Sequence, residues 1–359
     1  MLAIKFAVLA AMLISTQSGR ADPAKLGLKL ETLVINLDRP WGMTILPDQS
    51  LLITERTGQL RHWQQGKISA PIRGLPEVYD AGQGGLLDVL AAADFASSAK
   101  IWISYAAGSA DANYTAVSEL ILDMQSVPPS VRSRRSLFKA SPAKSGSAHF
   151  GGRLAAVEQH LWLTLGDGFD FREAAQDSAS HLGKIVRIEL TAPNSAAIYA
   201  SGHRNAQGLL WDPAKKLLWS HEHGPKGGDE LNIIVQGSNY GWPAVTAGLD
   251  YTRAQVSPFK AHARFVSPAH IWTPSIAPSG MVIYAGTLFP EWQGNLLITA
   301  LAGRALHRLV LNGQTVLSEE KLLTDENTRW RDIEVAADGT LYLLSDGENA
   351  KLVLVRREQ

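Results

Sequence analysis

At 359 residues the chain is long enough for two ordinary domains or for one large all-β barrel or propeller. Its hydrophobic fraction of 45% suits a globular protein with a full core, and 34 Lys+Arg balance 34 Asp+Glu, which excludes the basic footprint of a nucleic-acid binder. The absence of cysteine excludes a disulfide frame and a cysteine-based zinc site, while 31 glycines and 10 tryptophans favour a turn-rich β protein.

The amino terminus has the pattern of a secretory leader. Lys5 supplies a weak positive start, Phe6 to Ile14 form a short apolar run, and the small residues Gly19 and Ala21 precede a cleavage point before Asp22. The run is too short to anchor the chain in a bilayer, and no later segment reads as membrane-spanning. Residues 1–21 are therefore expected to be a signal peptide and 22–359 a single domain, placed in the periplasm or outside the cell.

Beyond the leader, an apolar strand, a turn and a second apolar strand recur along the chain. The instances are Trp41 to Thr54, Leu86 to Ser104, Arg153 to Leu165, Leu209 to Ser220, Met281 to Thr299 and Ile333 to Ser345. Pro47-Asp48, Asp212-Pro213, Gln293-Gly294 and Asp338-Gly339 supply turn chemistry between strands. No stretch sustains a helical period. The repeat averages about 55 to 60 residues, the length of a four-stranded propeller blade, and the mature chain divided by six gives about 56. A sandwich would need shorter and more even spacing. The expected fold is all-β: a six-bladed β-propeller with four-stranded antiparallel blades, whose radial packing leaves only short edges.

A hairpin places the residues before its first strand beside those after its second. His149 is thereby paired with Gly166-Asp167, Arg204, Asn205 and Gln207 with His221 to Pro225, and Arg329 and Arg331 with Asp346-Gly347; Gln83 precedes Leu86 in the same way. Blades run in one sense, so all these clusters fall on one face, which marks that face as a site. A lone His149 in a Ser-, Gly- and Ala-rich loop is equally well a solvated histidine; Asp167 beside it supplies what a general base needs, a carboxylate that fixes the tautomer. The arginines either pair with local acids or, with few acids evident at the mouth, receive an anionic ligand. Around Glu222 to Glu230, His221 and His223 lack the helical spacing of a zinc motif, whereas exposed Gly and Pro carbonyls with Asp229 and Glu230 suit calcium. The same stretch also reads as an ordinary acidic turn. These residues by themselves point to an anionic cofactor or substrate, with calcium left open.

At these residues the sequence resembles the glucose/sorbosone dehydrogenase family, the soluble quinoprotein aldose sugar dehydrogenases. The resemblance rests on His149-Phe150-Gly151-Gly152-Arg153-Leu154, on Gly202-His203-Arg204-Asn205-Ala206-Gln207-Gly208 and on Glu222 to Glu230. Pro40-Trp41-Gly42-Met43, Gln83-Gly84-Gly85-Leu86-Leu87-Asp88, Asn239-Tyr240-Gly241-Trp242-Pro243 and Pro274 to Gly280 support it in family order. It implies pyrroloquinoline quinone (PQQ) in the propeller mouth, an aldose substrate oxidised at C1 to the lactone, a further electron acceptor of unspecified identity, and a homodimer as an open alternative. It also implies roles: His149 as the base, Asp167 orienting it, and Arg204 stabilising charge on the quinone. Gln83, Asn205, Gln207, Arg329 and Arg331 would hold the cofactor, with His149 and Arg204 also in contact with it. The carbonyls of Gly224 and Pro225 would bind the calcium that polarises it, with Glu230 and the Tyr240 carbonyl at a second calcium and Trp272 walling the sugar pocket.

The chain departs from the glucose-oxidising branch at Ala148, where that branch has an acid, at Leu301 to Arg304, where it has a lysine, and at Trp330, where a small aliphatic is usual. These changes move it towards broad-specificity aldose dehydrogenases. Two rival functions stand beside this reading. A calcium-dependent lactonase would want side-chain ligands at the central mouth, and a binding module would need neither the His149–Asp167 pair nor the gathered arginines.

Overall fold

The computed structural model describes residues 27–192 and 195–358, so the leader read over residues 1–21 lies outside the described residues. Six four-stranded sheets, each antiparallel throughout, follow one another along the chain. Blades 1 to 5 occupy residues 40–68, 86–139, 154–201, 206–272 and 278–322, and blade 6 takes residues 330–357. Each expected strand pair is the inner half of a blade. Strands such as Leu51–Glu55, Leu296–Ala300 and Leu341–Ser345 are buried at every position because neighbouring blades cover both of their faces. Their unbroken apolar runs are the cause of the repeat seen in the sequence.

Blade 6 is completed from the other end of the chain. Its outermost strand is Leu28–Leu37, paired antiparallel with Ala350–Arg357 from Leu28 opposite Arg357 to Leu37 opposite Ala350. This pairing closes the ring and removes the free edges that an open array would expose. The core lies between blades, as where Leu52 and Leu60 of blade 1 meet Leu86, Ile101 and Ile103 of blade 2. Residues 95–98 form the single α-helical turn among the described residues.

The innermost strands ring the axis, and most carry an irregularity where they begin. Register shifts fall between Pro40 and Met43, Leu86 and Val89, Ala206 and Gly208, Pro278 and Met281, and Trp330 and Asp332. Bulges of this kind bend a strand and re-aim a side chain. Hydroxyls on the second strands meet the displaced backbone, Gly42, Asp88 and Gly280 donating their N–H groups to Thr54, Ser104 and Thr299, and in blade 3, which has no shift, Arg153 donates to Thr164 in the same way. Trp41, Asp88, Gln207, Ser279 and Arg331 are among the residues within the shifts.

Candidate active site

At one end of this ring lies a cavity of about 660 Å³, lined by Trp41, Gln83, Asn205, Gln207, His223 and Leu301 and by Arg39, Arg56, Arg329 and Arg331. Asp346 and Glu348 are the carboxylates in its wall, so four guanidinium groups face two acids. Of the clusters that the hairpin geometry assigned to one face, Gln83, Asn205, Gln207, His223, Arg329, Arg331, Asp346 and Gly347 line this cavity, whereas His149, Asp167, Arg204 and His221 are not part of its lining.

His149 ends the loop between blades 2 and 3 with φ +54°, and its backbone N–H donates to Gln83 Oε1 at 2.9 Å. The next turn needs glycine: at Gly152, φ +106°, a Cβ would stand 2.6 Å from Leu87 Cδ1. His149 is 4% exposed, and its Nδ1 lies 2.6 Å from Asp167 Oδ1. The fully buried Asp167 is held in turn by the Phe169 N–H on Oδ1 and by the Trp242 indole N–H on Oδ2, both at 2.8 Å. An ionised carboxylate can only accept, so Nδ1 carries the proton and Nε2 keeps its lone pair. Burial lowers the His149 pKa from its ordinary value, helped by the Arg204 and Lys144 cations and opposed by Asp167. The imidazole is therefore a neutral acceptor at neutral pH. Phe169 meets its ring edge-on at 5.0 Å and stacks on Tyr251 at 6.3 Å, and both aromatics are exposed.

Arg204 stands beside this pair. Its Nη1 donates to the carbonyls of His223 (3.1 Å) and Gly224 (2.7 Å), its Nη2 to Tyr251 Oη (3.3 Å), and the group lies 5.3 Å from the centre of the Trp242 ring. Glu222 fixes the backbone from below, accepting the Arg204 N–H on one oxygen and facing His203 Nδ1 with the other at 2.8 Å. Asn205 Oδ1 accepts from Gly151 N–H and from Gln207 Nε2 (3.3 and 3.2 Å), so the two amides form one chain on the cavity wall.

The calcium candidates divide into two places. At the mouth, the Gly224 carbonyl accepts one bond from Arg204 and retains a second lone pair, with Pro225 following it. Asp229, which the sequence offered as an ion ligand, is spent otherwise: it accepts backbone N–H groups of Gly224, Ile276 and Ala277 and so anchors the loop. Among the described residues no three His, Asp or Glu side chains are arranged to hold a metal, so an ion at the mouth would rely on backbone carbonyls. Glu230 lies elsewhere, opposite Glu222 across two strands, where burial and the Glu222 charge push its pKa up to about 8. The neighbouring Asn232 Oδ1 is buried without a hydrogen-bond partner. Two carboxylates and an orphaned carbonyl oxygen in one place fit a hard cation. Tyr240 is packed nearby on His203 at 4.7 Å, with its hydroxyl bound to Ile233 O.

Two expectations need correction. Arg329 and Arg331 do not lack acids: Asp346 grips both, Oδ2 taking Arg329 at 2.8 Å and Oδ1 taking Arg331 at 2.6 Å. Arg39 is likewise paired with Asp80, whereas Arg56 donates to the Gly82 carbonyl and contributes an uncompensated charge. Arg304 turns away to Asn327. Trp272 does not wall the cavity. It is 4% exposed in the core between blades 4 and 5, its indole N–H donating to Glu319 at 3.0 Å, because it sits on the outermost strand of its blade. The residues missed by position are Trp242, Phe169 and Tyr251. Trp242 stood in a recognisable Asn-Tyr-Gly-Trp-Pro run, but only the fold aims its indole at Asp167.

A model of the family described as glucose / sorbosone dehydrogenase matches residues 37–354. The chain belongs to this family. It is 40% identical to the aldose sugar dehydrogenase YliI of Escherichia coli (strain K12), covering 91% of this chain and 92% of that one. Among solved structures it superposes on the soluble aldose sugar dehydrogenase of Escherichia coli in its apo-form with a TM-score of 0.87, at 39% identity over 92% of this chain and all of the other. The PQQ-bound aldose sugar dehydrogenase of Streptomyces coelicolor matches with a TM-score of 0.76, at 26% identity over 92% of this chain and 98% of that one. Family membership makes an oxidoreductase acting on sugars the established frame for the site, and no helix among the described residues is long and apolar enough to cross a membrane.

Proposed function

We propose that this protein oxidises aldose sugars at C1 to the lactone, with PQQ as the hydride acceptor and His149 as the general base. The observation that supports the reading most is the His149–Asp167 pair beside a cavity walled by four guanidinium groups, of which Arg56 has no carboxylate partner, an arrangement that suits an anionic cofactor. Gln83, Asn205, Gln207, Arg329 and Arg331 would hold that cofactor, with Asp346 keeping the two guanidinium groups in place. The Gly224 and Pro225 carbonyls would take a calcium at the mouth, and Glu230 with the Tyr240 carbonyl a second, structural one. When bound, PQQ supplies a two-electron acceptor for the C1 hydride, made more electrophilic by calcium.

The protein's own part is proton transfer and charge placement. His149 Nε2 takes the proton of the C1 hydroxyl as its carbon–oxygen bond becomes a carbonyl, and Asp167 stabilises the resulting imidazolium without moving. Arg204 sets a fixed cation where negative charge develops. Phe169 and Tyr251 offer apolar faces to the sugar and shield the base from water. The leader over residues 1–21 would export the enzyme to the periplasm or beyond. The reading is tested by adding PQQ and calcium to purified apo-protein and following dye reduction with glucose and other aldoses. Turnover that needs both additions is the expected result. If PQQ neither binds nor supports turnover, the reading fails and a binding module takes its place.

A further inference from the structure

We propose that Arg153 is a positioning residue for the cofactor cavity: one guanidinium on the propeller axis that joins all six blades and holds the cavity floor. It is 8% exposed and stands just before the innermost strand of blade 3, Leu154–Val157. Its Nε donates to the Gln207 carbonyl of blade 4 at 3.0 Å, and its Nη2 to the Ser279 carbonyl of blade 5 at 3.3 Å. Nη1 meets Asp88 Oδ1 of blade 2 at 3.1 Å and Asp332 Oδ1 of blade 6 at 3.2 Å. The plane of the group lies 4.4 Å from the centre of the Trp41 ring of blade 1.

The two carboxylates extend the grip. Asp88 accepts the Leu154 N–H at 2.8 Å, returning from blade 2 to blade 3, and Asp332 accepts the Met43 N–H at 2.9 Å, joining blade 6 to blade 1. Of these partners, Trp41 and Gln207 line the proposed cofactor cavity. Asp88, Asp332 and Arg153 itself line a separate space of about 300 Å³ that also holds Met43 and Glu334. Arg153 thus stands between the two, and the three-residue link Phe150-Gly151-Gly152 connects it directly to His149. A buried cation bound on every side is costly to disturb. Only a planar fork can reach five partners at once, so lysine cannot replace it.

The inference rests on the cavity being the cofactor site, and the experiment separates the two. Apo-protein is titrated with PQQ plus calcium and followed by tryptophan fluorescence, for wild type, Arg153→Lys and Leu297→Ala, the last a core change in blade 5 that serves as a stability control. Arg153→Lys is expected to weaken PQQ binding by about tenfold, while Leu297→Ala lowers the melting temperature and leaves the affinity alone. At saturating PQQ the kcat of Arg153→Lys should recover further than its cofactor affinity does, a split that a loss of stability alone would not produce. If Arg153→Lys does not fold, Asp88→Asn is read the same way. Wild-type affinity in the variant, or a loss no larger than that of Leu297→Ala, overturns the role of Arg153. No PQQ binding by wild type overturns the proposed function and with it this inference.

Discussion

Two histidine–carboxylate pairs sit in adjacent blades and differ in one respect. His149 faces Asp167 at 2.6 Å and His203 faces Glu222 at 2.8 Å, each through Nδ1. His149 adjoins the cavity through Gln83, which accepts its backbone N–H, and through Phe150 and Gly151 of the wall, with the exposed Phe169 against its ring. His203 is fully buried, stacked on Tyr240, and its Nε2 has no partner among the described residues. Glu222 is also committed to the Arg204 backbone N–H and to Asn232. On the proposed function the same pairing would serve proton transfer in one place, whereas in the other it is enclosed in the scaffold. What separates them is access to the second ring nitrogen, which no motif encodes.

Substitutions can break the comparison or sharpen it. His149→Ala should have the largest effect, a fall in dye-reduction kcat of about a thousandfold with PQQ still bound, since a general base contributes about 10²–10⁴. Unchanged turnover would remove His149 as the base. Asp167→Asn should cost about a hundredfold and move the acid limb of the pH profile. Activity falls as pH drops through the His149 pKa, because protonation occupies Nε2. Asp167 raises that pKa, so its neutralisation should carry the acid limb to still lower pH. A limb that moves upward would contradict the assigned geometry.

Trp242→Phe removes one hydrogen bond to the Asp167 carboxylate and should lower kcat/KM by about tenfold, with the melting temperature little changed. His203→Gln should do the reverse. Loss of the buried pair costs about 1–3 kcal/mol of stability, seen as a lower melting temperature, with kcat at 25 °C within about twofold of wild type. A catalytic loss as large as that of Asp167→Asn would mean that the two pairs are not distinct in function.

Much of the architecture was legible because inner strands are buried on both faces and must be apolar throughout, as in Leu51–Glu55. The outer strands were not. Ser130–Lys139 presents a run of exposed arginine and serine, and Thr315–Leu322 carries three charged residues in succession, Glu319-Glu320-Lys321. Neither carries the signal of a buried strand. The closing pair of Leu28–Leu37 with Ala350–Arg357 joins the two ends of the chain, and local pattern has no means of marking it. In the site, hairpin geometry was enough to bring His149 to Asp167 and Arg331 to Asp346. It could not show that Asp346 grips both Arg329 and Arg331, nor that Asp229 is consumed by three backbone N–H groups.

The sequence by itself therefore determined the blade repeat, the face on which the unusual residues gather, and the family, since each depends on local spacing or contiguous motif. Tertiary structure alone decided which histidine is reachable, which carboxylates are already spent, that Trp272 is core and that Arg153 lies on the axis. The reason is geometric. The axis of a ring is shared by six separate stretches of chain, so the surroundings of an axial side chain are set by residues as distant in sequence as Trp41 and Asp332.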